Sequence, residues 1–138
     1  MAIFRLNAAA QNAACDAIVD LIDVGGTGTI VVRSTPQPAV GAAATGTVLA
    51  TITCAATAFG AAAAGVATAG TFVEDASVIG GTAAWARMYN GTASDPADSI
   101  FDMDAGVGTE TLVFTPTNVF VTDGTANISS MTVTVPAE

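Results

Sequence analysis

Residues 81–90 read GTAAWARMYN, and their alternation decides the fold. From Thr82 to Tyr89, Trp85, Arg87 and Tyr89 point one way, and Ala84, Ala86 and Met88 point the other. That period of two is the signature of a pleated strand, and here it marks a central one. Working outward, the same period recurs. Thr29–Ser34 reads as a strand. In Val48–Cys54 the residues Val48, Ala50, Ile52 and Cys54 alternate with Leu49, Thr51 and Thr53. Between these two, Thr35-Pro36-Gln37-Pro38 is a loop that cannot enter a sheet interior.

Further along the chain a weaker strand is predicted near Gly65–Phe72, and Gly80-Gly81 then breaks the chain. Asn90–Asp98 is a polar turn. Ile100–Met103 and Thr111–Thr115 are short strands. Val119–Thr122 runs into Asp123-Gly124 and then Ala126–Val135, a pattern that predicts a hairpin. Seven or eight short strands with regular turns imply an antiparallel β-sandwich, jelly-roll-like or alternatively immunoglobulin-like.

One helix precedes the strands. Asn7 is suited to cap it, and an Ala-rich run continues to about Asp23, where Gly25-Gly26 ends it. On a helical wheel Ala10, Ala14, Ala17, Ile18, Leu21 and Ile22 form an apolar face, and Asn12, Asp16, Asp20 and Asp23 a polar one. This amphipathic α-helix carries its acids toward its C-terminal end, where the dipole disfavours them, so packing must hold it. The resulting map is mainly β and a single domain over 1–138: arm 1–6, helix 7–24, sandwich 28–136.

Composition narrows the chemistry. Of 138 residues, Ala, Thr and Gly number 30, 20 and 14, and there is neither His nor Lys. A His-based triad, a Lys Schiff base and a His-ligated zinc site are therefore excluded. Three Arg against 12 acids give a net charge of −9, which offers no basic footprint for nucleic acid. The 40 uncharged residues between Arg33 and Glu74 are broken by Gly, Pro and Thr, so they suit short strands and not a membrane span. Cys15 and Cys54 read as buried, reduced thiols.

Few residues stand out as sites. Asp102, Asp104 and Glu110, with Gly106, form a fragment of a calcium loop and are weak metal candidates; an acidic, solvated turn explains them as well. Trp85 reads as a core anchor. Arg5, Arg33 and Arg87 are the interface candidates, since Arg is enriched at contact hot spots. For Arg87, an internal ion pair or stacking between Trp85 and Tyr89 is the stronger alternative. Arg5 lies on a short arm, Ala2–Leu6, suited to adding a strand to a neighbouring sheet.

Taken in order, NAAAQNAACDAIVDLID (7–23), QPA (37–39), GTVLATIT (46–53), AFGAAAAGVATAG (58–70), GTAAWARMYN (81–90) and NISSMTVTVPA (127–137) resemble a family of small virion proteins of tailed bacteriophages. Some of that family look like capsid decoration, or cement, proteins. The turn DMDAGVG (102–108) is longer than the compact Asp-Gly turn expected there. The resemblance implies a structural protein and no enzyme, without a cofactor, made in the host cytoplasm and placed on the outer surface of the phage head. The implied partners are the major capsid protein and neighbouring copies of the chain, with no nucleic acid and no membrane. Two alternatives stand beside it: a host-surface or carbohydrate-binding module with Trp85 or Tyr89 against sugar, and a self-assembling tail or fibre subunit.

Overall fold

A computed structural model describes residues 4–75, 77–92, 95 and 97–137. The protein is mainly β, with one N-terminal helix and a large curled mixed sheet. The helix α1 spans Ala8–Asp20 and tightens into a 3₁₀ turn at Leu21–Asp23. The strands are β1 (Thr29–Arg33), β2 (Val48–Cys54), β3 (Val66–Thr68), β4 (Phe72–Val73), β5 (Gly81–Thr82), β6 (Trp85–Tyr89), β7 (Ser99–Gly106), β8 (Leu112–Phe114), β9 (Val119–Phe120) and β10 (Ile128–Thr134). Eight of them form one sheet in the order β3-β10-β8-β7-β6-β1-β2-β4, and β5 pairs with β9 in a second, small one.

The sheet order forces the curl. β3 and β4 occupy opposite edges of the eight-stranded sheet, yet only residues 69–71 separate them in sequence. Seven strand spacings would put flat edges roughly 33 Å apart. Four Cα steps from Thr68 to Phe72 reach at most about 15 Å. The edges must therefore come together, and the hydrogen bonds show where. Ala69 N–H donates to Met131 O of β10 at 3.0 Å, while Ala55 N–H beyond β2 donates to Thr71 O at 3.1 Å. One bent segment thus serves both edges. The core lies inside the curl, with Ile30, Val32 and Ile52 from one wall and Leu112, Phe114 and Met131 from the other. Phe114 and Phe120 meet edge to face within it, centroids 5.0 Å apart.

Four local expectations are corrected. The pairing is not purely antiparallel: β7 and β8 run parallel, with Ala105 beside Leu112 and Gly106 beside Val113. After Gly106 the chain turns back through residues 107–111 before β8 starts, so both strands run the same way. The Asp123-Gly124 turn forms, closed by Gly124 N–H to Val121 O at 2.8 Å, but it joins no hairpin. β9 pairs with β5, and β10 pairs with β8 and β3, because Phe120 is drawn into the core beside Phe114. The strand expected over Thr82–Tyr89 is broken into β5 and β6 at Ala83-Ala84, whose amides bond Asn118 O and Arg33 O. The predicted polar turn Asn90–Asp98 includes Ala93, Ser94 and Pro96, which lie outside the described residues. Residues 1–3 of the predicted arm lie outside them too.

The fourth correction is the face of α1. Asn7 caps it as expected, its Oδ1 accepting from Ala10 N–H at 2.9 Å. The buried stripe, however, is Cys15, Val19 and Ile22, whereas Ile18 and Leu21 are 36% and 50% exposed. The polar side chains expected to face water turn toward the segment 58–65. Asp23 accepts from Ala58 N–H, Asp16 from Ala62 N–H at 2.7 Å, and Asn12 from Gly65 N–H at 2.7 Å. A strand-poor segment needs partners for its amides, and three acceptors on one helix face supply them. This decides the rotation of the helix over burial of two more aliphatic side chains. Gly65 itself is obligatory: its φ is +75°, and a Cβ there would lie 2.6 Å from Val135 O.

Replacing Asp16 by Ala leaves the Ala62 amide without its acceptor, at an expected cost of about 1–2 kcal/mol. Asp16→Asn keeps an acceptor oxygen and retains most of that stability. Urea unfolding midpoints at constant slope measure both, and an Asp16→Ala midpoint equal to the parent's would remove the pinning role.

Candidate functional site

The charged centre of the protein is built on β6. Met88 and Ala86 face the apolar core, so Trp85, Arg87 and Tyr89 face the opposite side of the sheet. That side is covered by the loop 34–47. Its neck is closed by Ser34 N–H to Thr47 O and by Arg33 Nη1 donating to Gly46 O, both at 3.0 Å. Trp85 Nε1 then donates to Thr35 O at 3.0 Å. All five residues of β6 are buried as a result.

Arg87 is 1% exposed and is held on three sides. Its Nε and Nη2 make a two-pronged contact with Asp102 Oδ1 and Oδ2 of β7, at 2.5 and 2.9 Å. The register places these two residues directly opposite one another. Nη1 donates to Asp95 Oδ1 at 2.7 Å and to Ala42 O of the loop at 2.9 Å. Trp85 adds its ring face, with the guanidinium carbon 5.5 Å from the centroid. Asp95 in turn accepts from Tyr89 Oη at 2.7 Å and, through Oδ2, from Ala44 N–H at 3.0 Å. One carboxylate therefore ties β6, the loop 34–47 and the 90–98 connection together.

The electrostatics follow from these contacts. The Tyr89 hydroxyl, the Ala44 amide and Arg87 hold the Asp95 carboxyl down at about 2. The Asp102 hydrogen bonds raise the Arg87 pKa despite burial. Burial, then the hydrogen bond to Asp95, raises the Tyr89 phenol. In this arrangement the guanidinium is neutralised, both Asp102 oxygens are engaged by it, and both Asp95 oxygens are engaged as well. Each of the four carboxylate oxygens accepts at least one hydrogen bond from within the fold, so the cluster acts as a clamp.

The other predicted residues are dispersed. Asp102 is not on a solvated turn: it lies on β7 with a side chain 9% exposed, so its metal candidacy ends at Arg87. Asp104 accepts from Thr111 N–H at 2.8 Å, and Glu110 from Gly108 N–H at 2.7 Å, which shapes the 107–111 return loop. Among the described residues no three His, Cys, Asp or Glu side chains form a group able to hold a metal ion. Arg87 is interior and cannot be a surface anchor. Arg33 is half-buried and serves its own loop neck. Arg5 is exposed, next to Leu6, whose amide donates to Ala137 O at 2.9 Å. Trp85 is 1% exposed and Tyr89 3%, so neither offers a ring to an external sugar. Both cysteines are free and buried, and burial, followed by the charge of Asp23, pushes the Cys54 thiol up to about 11.

Sequence reading missed Asp95, leaving it within the polar turn Asn90–Asp98. Its only local signal is a carboxylate six residues beyond Tyr89 across a turn, and the Ala44 contact is 51 residues distant. Comparison with protein-family models, with curated proteins and with solved structures finds no match to this chain.

Arg87→Met leaves Asp102 without its counter-charge and is expected to destabilise by about 3–5 kcal/mol in denaturant unfolding. The pH response carries a definite sign. The Asp95 carboxyl titrates lower in the folded protein, at about 2, than in the unfolded chain. Its contribution is complete above the ordinary Asp range near 3.9 and is lost as pH falls from there toward 2. Between pH 5 and 2, Asp95→Asn should flatten the fall of thermal midpoint relative to the parent; parallel curves would disprove the role.

Proposed function

We propose that this chain is a phage virion structural protein, a capsid decoration or cement protein that binds the mature head lattice and stabilises it. Binding only the mature geometry favours that geometry by mass action, and many copies on a repeating lattice add by avidity. The observation that carries the reading is a run of exposed aliphatic side chains on ordered backbone. Val119 and Val121 of the β9 segment are 52% and 73% exposed, and Ile79 beside them is 48% exposed. The backbone under them is fixed: Gly81 pairs with Phe120, Gly80 N–H reaches Thr122 Oγ1 at 3.1 Å, and Ile79 N–H reaches Leu49 O at 2.8 Å. Rigid exposed apolar surface of this kind marks contact with another macromolecule. The charged residues of the interior clamp take no part in it.

The same reading extends to the architecture. The curled sheet is taken as flattened, so that β6-β1-β2 and β8-β10-β3 face each other as the two layers of a sandwich. The apolar core drawn from both walls supports this. A sugar-binding role has less support, because the two aromatic rings it relied on are covered.

The test uses phage heads with and without the protein. Heads lacking it should release DNA at a lower temperature, and adding the purified chain should restore the parent temperature. Val121→Asp, at an exposed position, should leave the folded chain's own melting temperature unchanged and abolish that restoration. Heads that release DNA at the same temperature without the protein refute the cement role; restoration by Val121→Asp refutes the β9 contact face.

A further inference from the structure

A gap in the sheet supplies a second, independent surface. β8 covers β7 only at Ala105 and Gly106, and β10 only from Ile128 to Met131. Below that point β7 and β10 are next-nearest neighbours, with no strand between them among the described residues. The cleft they leave is lined by Phe101, Asp102 and Met103 on one side, Thr132, Val133 and Thr134 on the other, and the 109–111 turn at its closed end. Two strand spacings separate the flanking strands, about 9.5 Å, which is the width of one inserted strand.

The backbone facing this cleft follows from the ladders. Ala105 N–H bonds Ala84 O, so alternation directs the Met103 and Phe101 peptide groups toward β6 and the Asp102 N–H and C=O away from it, into the cleft. On the other wall, Ala69 N–H bonds Met131 O and Val135 N–H bonds Gly65 O. Those pairs direct Val133 toward β3 and leave the Thr132 and Thr134 peptide groups facing the cleft. Thr132 N–H reaches Thr111 O at 3.4 Å, at the closed end. The core is open there as well: Phe101 and Val133 pack against it yet are only half-buried. The outward rim carries exposed Asp104 and half-buried Glu110.

We infer that this cleft accepts the N-terminal arm of a second copy of the chain as an added strand. The arm has the matching pattern: Ala2, Phe4 and Leu6 alternate with Ile3 and Arg5. Seated as a strand, Phe4 points inward over Phe101 and Val133, while Arg5 points outward toward the acidic rim. The charge is complementary. Arg5 stands in residues 1–15, a stretch of this acidic chain that contains a cation and no acid. Phe4 is 80% exposed in the single chain, an unusual state for a Phe on a folded protein. Main-chain bonds supply affinity and the alternate side chains supply specificity, as in strand addition generally. The contact is head-to-tail, so it closes into a ring or continues as a filament according to the rotation between copies. This holds whether or not the protein resides on a virion.

Sedimentation of the full chain over a wide concentration range tests the inference, with amide NMR of the same samples. The parent is expected to self-associate as concentration rises, with shifts at the Asp102 and Thr134 amides. Phe4→Asp, at an exposed position, should weaken association by about tenfold or more. Thr134→Pro, which removes an N–H that faces the cleft and not β3, should do the same. A parent that stays monomeric overturns the inference. So does a Phe4→Asp variant that associates as tightly as the parent, or association whose shifts fall outside β7 and β10.

Discussion

The ion cluster at Arg87 is the constraint on which the outer half of the molecule depends. A guanidinium at 1% exposure is tolerable only if its charge and its donors are met, and two carboxylates and a loop carbonyl meet them. The consequence reaches past the pair itself. Because Asp95 also holds Tyr89 and the Ala44 amide, the loop 34–47 and the 90–98 connection are both anchored at this one carboxylate. Remove the cation and both connections lose their common anchor, while the carboxylates that remain repel each other. The cluster has the chemistry of a fastener, and its specificity lies in geometry: a flat fork against a carboxylate directly across a strand pair.

A second constraint acts on the apolar side. The segment 66–73 pairs with β10 at one end and with β2 at the other, so it fixes how far the sheet must curl. The helix is attached to the same region. It donates no charge to the sheet; it offers side-chain oxygens to the amides of residues 58–65, and Cys15 Sγ donates to Val133 O at 3.4 Å. These acids sit near the helix's C-terminal end, where the dipole is unfavourable, and the backbone amides they meet offset that cost. Curling, helix attachment and the gap below β8 are linked. The same parallel return that lets β8 start beside Ala105 leaves the lower parts of β7 and β10 without a strand between them.

Together these features describe a molecule whose buried cation, Arg87, is paired internally, while aliphatic side chains and strand backbone elsewhere stay open to contact. The proposed lattice contact through the β9 segment and the proposed strand exchange at the cleft use different faces. They also use different physics: exposed aliphatic area in one, unpaired backbone and an open core in the other. Both suit a chain with few charged side chains, since neither requires desolvating an ion.

What the sequence determined by itself was local and periodic. The alternation in 82–89 and 48–54 set strands there because a pleat repeats every two residues, and Asn7 set the start of the helix through its side-chain cap. The Arg87 partner across the strand was legible only as a possibility, because alternation gives the face of a residue and not its neighbour. Tertiary structure decided the rest. The helix wheel was turned by amides in residues 58–65 that no helical pattern reveals. The hairpin at Asp123-Gly124 yielded to burial of Phe120. The clamp required Asp95 and Ala44, 51 residues apart, to meet, and such pairing depends on chain closure over distances that local propensity does not encode.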